Sequence, residues 1–331
     1  MKKQSVSSII LFLFLSLFSL AGWSNQPARP DTPLAYLNAM VQAHQTQNYE
    51  QLYLLQNGED IQSFRYRHAS RENKQYAQLL QLDSIRGEII LRGDTVSYFG
   101  DFQPFSLESK VILDNLPTVM YTDFNQLTDY NFIDIGRERI ADRIARVIRI
   151  VPRDDFRYQY RVWIDEENYL LLKSELIDRD NVVLEEFRVI QSIVDEQLLY
   201  IIEPISSLIL PTLLPTKDLA EKQSVHWHPN WVPRGFKVLS SGRQHLSDSL
   251  MNNEDAESLQ YSDGLFTFTI YVVENTTIPF AEQFWRNGKM SVYSQTVDNK
   301  DIVVVGEIPV VTARHLVQDL ELKFRSGEHK K

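Results

Sequence analysis

The chain contains no cysteine, and that absence removes thiol catalysis, thiolate metal centres, disulfide staples and any lipid-modified cysteine anchor. Glycine is sparse, at 12 of 331 residues, and forms neither a phosphate-cradling loop ahead of a helix nor a dinucleotide fingerprint. There is no Gly-x-Ser-x-Gly elbow and no His-Glu-x-x-His pair. Positive charge is also in deficit: the formal charge is −10, falling to −12 if Lys2 and Lys3 leave with a leader. Such a chain repels phosphate, which argues against a nucleic-acid partner bound by charge. These absences point away from an enzyme and imply no cofactor.

What is present begins with an apolar run, Ile9 to Leu20, preceded by Lys2 and Lys3 and followed by small residues at Ala21, Gly22 and Ser24. About a dozen apolar residues fall short of the ~20 that a membrane-spanning helix needs. The expectation is a secretory leader over residues 1–24, removed from a mature protein that is exported and not membrane-anchored. The remainder, from a chain 43% hydrophobic and 24% charged, is long enough for two domains, each able to bury a core without disulfides.

Thr32-Pro33 reads as an N-cap followed by proline at the first helical position, and Leu34, Leu37, Met40, Val41 and His44 then form an apolar stripe that must lie on a sheet. From Tyr49 to about Tyr200 the period changes to two. Segments such as Ser63–His68, Gln78–Leu82 and Glu88–Leu91 read as antiparallel strands. Tyr158–Ile164, Tyr169–Leu176 and Val182–Ile190, separated by Asp/Asn-rich turns, form a three-strand meander. Asn115–Leu127 reads as a loop with a helical turn. The expected first domain, residues 30–204, is a large curved sheet or open β-barrel covered by helix. Residues 205–224, with prolines among apolar residues and then charges, read as a linker. A small mixed domain is expected over 225–322: the Trp/Pro stretch His226–Phe236, a polar loop from Ser240 to Glu257, a strand through Phe266–Val272, another at Ile302–Gly306 and a helix near Thr312–Leu320. Residues 323–331 read as a polar tail.

Candidate chemistry is thin. His226 and His228 sit at i and i+2, so a metal site is conceivable, against the plainer reading of an exposed pair flanking a buried Trp227. Asp263-Gly264 reads as a turn. Arg137, Arg139, Arg143, Arg146, Arg149 and Arg153 have two readings: a solvated face balanced by Glu138, Asp142 and Asp154, or a basic rim that recognises phosphate or carboxylate. The aromatics of the first domain are either core or the lining of a concave interior able to hold acyl chains.

Several blocks, taken together, resemble the RseB/MucB regulators of the envelope-stress sigma factor. They are Ser63-Phe64-Arg65-Tyr66-Arg67-His68-Ala69, Tyr121-Thr122-Asp123-Phe124, Gly136-Arg137 through Arg143, Asp178-Arg179-Asp180, Glu186-Phe187-Arg188-Val189-Ile190, Trp227-x-Pro-x-Trp231-x-Pro-x-Gly235-Phe236, Tyr261-Ser-Asp-Gly-Leu-Phe266 and Val305-Gly306-Glu307-Ile308-Pro309. The resemblance implies a β-rich α+β protein of the periplasm, with an N-terminal open β-barrel like that of the lipoprotein carriers LolA and LolB and a small C-terminal α+β domain. It implies binding to the periplasmic region of the anti-sigma factor RseA, protection of that region from site-1 proteolysis, and an inactive sigma E. It also implies release on sensing lipopolysaccharide or another acyl lipid. A lipid or lipoprotein carrier is the alternative function, and self-association is left open. The candidate partner-binding residues are Trp227, Trp231, Arg234, Tyr261 and Phe266. The candidate lipid-binding residues are Arg143, Arg146 and Arg149 at the rim with Phe64, Tyr66 and Trp163 inside.

Overall fold

A computed structural model describes residues 29–83, 87–215, 224–248, 251–274 and 281–322. The expected leader and the polar tail lie outside the described residues, as do positions 216–223 of the expected linker.

Helix α1 (Pro33–Thr46) starts where its cap chemistry dictates: Thr32 is extended and its hydroxyl accepts from the Ala35 amide at 3.2 Å, with proline in the first turn. The helix buries Leu37, Met40, Ala43 and His44, while Leu34 and Val41 pack at the margin. Beneath it lies one antiparallel sheet of 11 strands. Its first half is a meander of β1 (Tyr49–Asn57), β2 (Asp60–Arg71), β3 (Lys74–Gln81), β4 (Glu88–Arg92), β5 (Thr95–Gly100) and β6 (Phe102–Glu108). After two 3-10 turns at Thr118–Met120 and Phe124–Gln126, a second meander follows: β7 (Tyr130–Ile140), β8 (Arg143–Pro152), β9 (Gln159–Asp165), β10 (Leu171–Ile177) and β11 (Val183–Val194). β11 returns to pair with β1, giving the order 6-5-4-3-2-1-11-10-9-8-7. The sheet does not close, so the open barrel is open at β6 and β7.

The connection after β11 is docked on this sheet over part of the expected linker. Helix α2 (Ile202–Ser207) buries Ile202 and Ile205 in a small apolar cluster with Ala69, Tyr76 and Ile90, and Arg92 donates to the carbonyls of Ser206 and Leu208, both at 3.0 Å, to close its C-terminus. Beyond it, Ser106 of β6 donates its amide to Thr212 and accepts from the Leu214 amide, at 2.9 and 2.8 Å. The chain thereby covers the β6 edge.

The C-terminal part begins with the short strand β12 (Trp227–Pro229), which pairs with the last strand, β19 (Leu320–Leu322). Between them lies a six-stranded sheet of β13 (Lys237–Asp248), β14 (Met251–Ser262), β15 (Thr267–Glu274), β16 (Gln283–Asn287), β17 (Met290–Val297) and β18 (Lys300–Gly306), in the order 13-14-15-18-17-16, with helix α3 (Val310–Gln318) packed against it. In β15 the faces divide as the alternation requires, with Phe268, Ile270 and Val272 buried and Tyr271 exposed. The polar loop expected from Ser240 to Glu257 is instead the β13–β14 hairpin. Its composition misleads because β13 is an edge strand, where the backbone ladder holds without an apolar side-chain face. One continuous apolar core runs from Leu37 of α1 through both sheets to Leu322.

Candidate functional site at the domain junction

Where the two larger sheets meet, buried polar groups stand beside the shared apolar core. Asp263 occupies the turn between β14 and β15, where its Oδ1 accepts from the amides of Leu265 and Phe266 at 3.0 and 2.8 Å. The turn reading is correct, and it is half of the residue's role. Its Oδ2 faces the first sheet, accepting from the Tyr130 hydroxyl and from Arg157 Nη1, the latter at 3.1 Å. Arg157 in turn holds Asp154 bidentately at 2.6 and 3.2 Å, and its guanidinium lies over the Tyr130 ring at 4.7 Å. Burial works against the Arg157 charge, yet the bonds to Asp154 and Asp263 and the proximity of Tyr130 hold its pKa above the ordinary value. Burial, then the Asp263 charge, pushes the Tyr130 hydroxyl well above its usual range.

A second, half-buried cation stands on the other side of the junction. The β16–β17 turn inserts Lys289 between Glu185 of β11 and Glu307, at 3.1 and 3.0 Å. Burial opposes its charge, but the two carboxylates keep it protonated. The turn reaches this depth because Gly288 has φ +52° and no side chain, for a Cβ there would lie 1.5 Å from Asn57 Oδ1. Tyr158 donates to the Ile308 carbonyl at 2.9 Å, Thr312 to the Phe156 carbonyl at 2.9 Å, and the Tyr160 and Phe266 rings stack at 5.8 Å.

Two open clefts flank these contacts. One, about 340 Å³, lies between Gln126–Tyr130 and the Gly235–Leu239 and Ser262–Gly264 segments. The other, about 470 Å³, lies between the Asp178–Asp180 turn, β16 and the start of α3. Both fall in the size range of ligand sites at domain interfaces.

Of the candidate partner residues, Phe266, Trp231 and Arg234 reach the first domain, at Tyr160, Phe156 and Asp129, whereas Trp227 pairs within β12–β19 and Tyr261 stacks on Phe268 inside the second sheet. Trp227, Tyr261 and Phe266 are buried core. Trp231 is partly buried, stacked on His315 at 4.0 Å and edge-on to Phe156 at 4.6 Å. Arg234 is exposed and reaches Asp129, in the turn ahead of β7, at 3.1 Å. Gly235, at φ +91°, turns the chain beside Asp129 and Arg157. His226 and His228 are exposed around buried Trp227 and go to separate carboxylates, Glu257 at 2.6 Å and Glu321 at 4.0 Å.

The candidate lipid residues sit apart from the junction. Phe64, Tyr66 and Trp163 are packed into the core. A cleft beside Phe64 measures about 140 Å³, below the ~300 Å³ at which small-molecule sites begin. Arg143 pairs with Asp165 and Glu167, Arg146 with Asp134 and Glu166, and Arg149 donates to Gln159. Of the acids expected to balance the arginine series, only Asp142 does so, with Arg139. Glu138 accepts from the Trp163 indole at 2.9 Å and Asp154 serves Arg157, because cross-strand pairing puts Asp134, Asp165 and Glu166 closer. Sequence reasoning missed Arg157, Tyr130, Lys289 and Glu185. A signal for the first was available: an arginine between Phe156 and Tyr158, directly after the series that drew attention.

The sequence matches the MucB/RseB N-terminal domain over residues 32–213 and the MucB/RseB C-terminal domain over 221–321. The chain belongs to the MucB/RseB family. It is 39% identical over 327 residues to the Sigma-E factor regulatory protein RseB of Haemophilus influenzae, covering 98% of this chain and 100% of that one. Against the RseB protein of Escherichia coli K12 it is 40% identical over 305 residues, covering 92% and 94%. The solved complex of Pseudomonas aeruginosa MucA/MucB shares the fold, with a TM-score of 0.67 at 21% identity over 88% of this chain and 99% of that one. The two family domains correspond to the two larger sheets, and the relatives named RseB are sigma-E factor regulatory proteins.

Proposed function

We propose that the chain is a non-enzymatic regulator in the periplasm that holds the periplasmic region of the anti-sigma factor RseA at the domain junction. Bound there, that region is shielded from site-1 proteolysis, and sigma E stays inactive. The observation that carries this reading is the pair of open clefts flanking a junction held by the Arg157–Asp263 and Lys289–Glu185 ion pairs. A partner segment laid across it touches both domains at once, so its affinity depends on their relative placement, the arrangement a releasable clamp needs. The Pseudomonas relative was solved as a complex with MucA, which supports the same reading. Release by lipid belongs to this proposal as a coupled equilibrium: a lipid that binds a rearranged junction weakens RseA by the factor that RseA weakens the lipid.

Retention of the RseA periplasmic segment by the immobilised chain, together with slower site-1 cleavage of that segment in its presence, tests the proposal. No retention and unchanged cleavage would overturn it.

A further inference from the structure

Among the described residues the two larger sheets have four edges: β6, β7, β13 and β16. An exposed edge presents unpaired backbone groups and is ordinarily blunted by covering chain, proline, bulges or charge. β6 contains Pro104 and is covered by residues 212–214. β7 is bulged between Asp134 and Gly136 and carries Asp134, Arg137 and Arg139 along its exposed length. β13 shifts register twice. Among the described residues β16 has none of these devices: it runs in unbroken register with β17, has no proline, and reads Gln283-Phe284-Trp285-Arg286-Asn287. Its one cation, Arg286, is engaged with Asp178 at 3.3 Å.

The side chains agree with the backbone. Phe284 lies opposite Tyr293 and Arg286 opposite Ser291, and both of those β17 residues are fully buried. Phe284 therefore belongs to the inward face of the sheet, yet it is 65% exposed. At β16 the core face is only partly covered: α3 reaches the strand, yet Phe284 stays largely exposed. The uncovered margin opens into the 470 Å³ cleft, whose other wall carries Val311, itself 47% exposed. That cleft is continuous with the domain junction through the Arg286–Asp178 pair and the Tyr158–Ile308 bond.

We infer that β16 is an acceptor strand: an extended apolar segment of the partner adds beside it as a seventh strand, its alternate side chains covering Phe284 and Val311 in the cleft. This rests on the function proposed above and assigns its mode of recognition. Main-chain pairing supplies the hold, and the apolar cleft supplies selectivity for large side chains at every second position.

Hydrogen exchange of the full chain, with and without a synthetic peptide of the RseA periplasmic region, tests it alongside peptide affinity for Trp285→Lys and Phe284→Ser. Both substitutions are at exposed positions, and an unchanged unfolding midpoint verifies each fold. The expected result is slowed exchange of the 283–287 amides on peptide addition, with affinity lowered about tenfold or more in each variant, while Tyr200→Ala on the first domain binds as the parent does. Peptide binding with unchanged β16 exchange and unchanged variant affinities would overturn the inference and leave the regulator reading intact. Protection of β16 that follows protein concentration and not peptide would overturn it in favour of pairing between two copies. Failure of the parent chain to bind the peptide would overturn the function itself.

Discussion

Arg157 and Asp263 form an ion pair across the domain junction at 3.1 Å with side chains only 1% and 2% exposed. Two charges so deeply buried are tolerated because each is otherwise satisfied, Arg157 by Asp154 and the Tyr130 ring, Asp263 by two turn amides and the Tyr130 hydroxyl. The pair fixes where one domain sits on the other and stabilises little beyond that, since its desolvation offsets much of its attraction.

Removing one partner uncovers that desolvation cost. Arg157→Met leaves Asp154 and Asp263 without their common cation and is expected to destabilise the chain by roughly 3–5 kcal/mol. Chemical denaturation measures it, and a loss under 1 kcal/mol would show that the junction is wet.

Gly288→Ala should destabilise by about 1–3 kcal/mol, because the residue sits at positive φ and the new methyl meets Asn57. The hairpin then withdraws and Lys289 loses its seat between Glu185 and Glu307. The thermal midpoint of the purified variant is the measurement.

Acid sensitivity follows from His44. Burial, with the nearby His68 adding to it, lowers its pKa to about 3. Its Nε2 accepts from the Leu171 amide and its Nδ1 meets the Tyr49 hydroxyl at 2.7 Å, which suits the neutral ring. The unfolded chain takes up this proton near pH 6.5 and the folded chain does not, so the contribution is fully present above pH 6.5 and is lost as pH falls towards 3, at about 1.4 kcal/mol per unit. Urea midpoints between pH 7.5 and 5 should decline, and His44→Gln should flatten the slope.

Arg143→Gln should cost about 1–3 kcal/mol, since it strips the buried Asp165 carboxylate of its cation. If the substitution left stability unchanged yet abolished lipid binding, the basic-rim reading of the arginine series would stand over the charged-face reading.

Much of the fold was legible because its signals are local. The Thr32-Pro33 cap, the 158–190 meander and the Asp263-Gly264 turn each depend on residues within a few positions of one another. The junction was not legible, because its partners are joined only by the tertiary fold: Tyr130 with Asp263, Lys289 with Glu185. Single charged residues in mixed segments give no periodic pattern to read. The β13–β14 hairpin was hidden for another reason: β13 is an edge strand and β14 before Glu257 pairs with β13 alone, so the apolar alternation that marks a strand is not required there. Trp227, Tyr261 and Phe266 stood out as aromatics in a family motif, and size and burial, not exposure, explain them.

The most direct test of the central claim is calorimetric titration of the full chain with the periplasmic segment of RseA, run in parallel for Asp263→Asn. The account predicts saturable binding by the parent and a weaker complex for the variant, whose domains are no longer fixed by the Arg157 pair. Absence of binding by the parent would contradict it outright, and identical affinities would contradict a partner site at the junction.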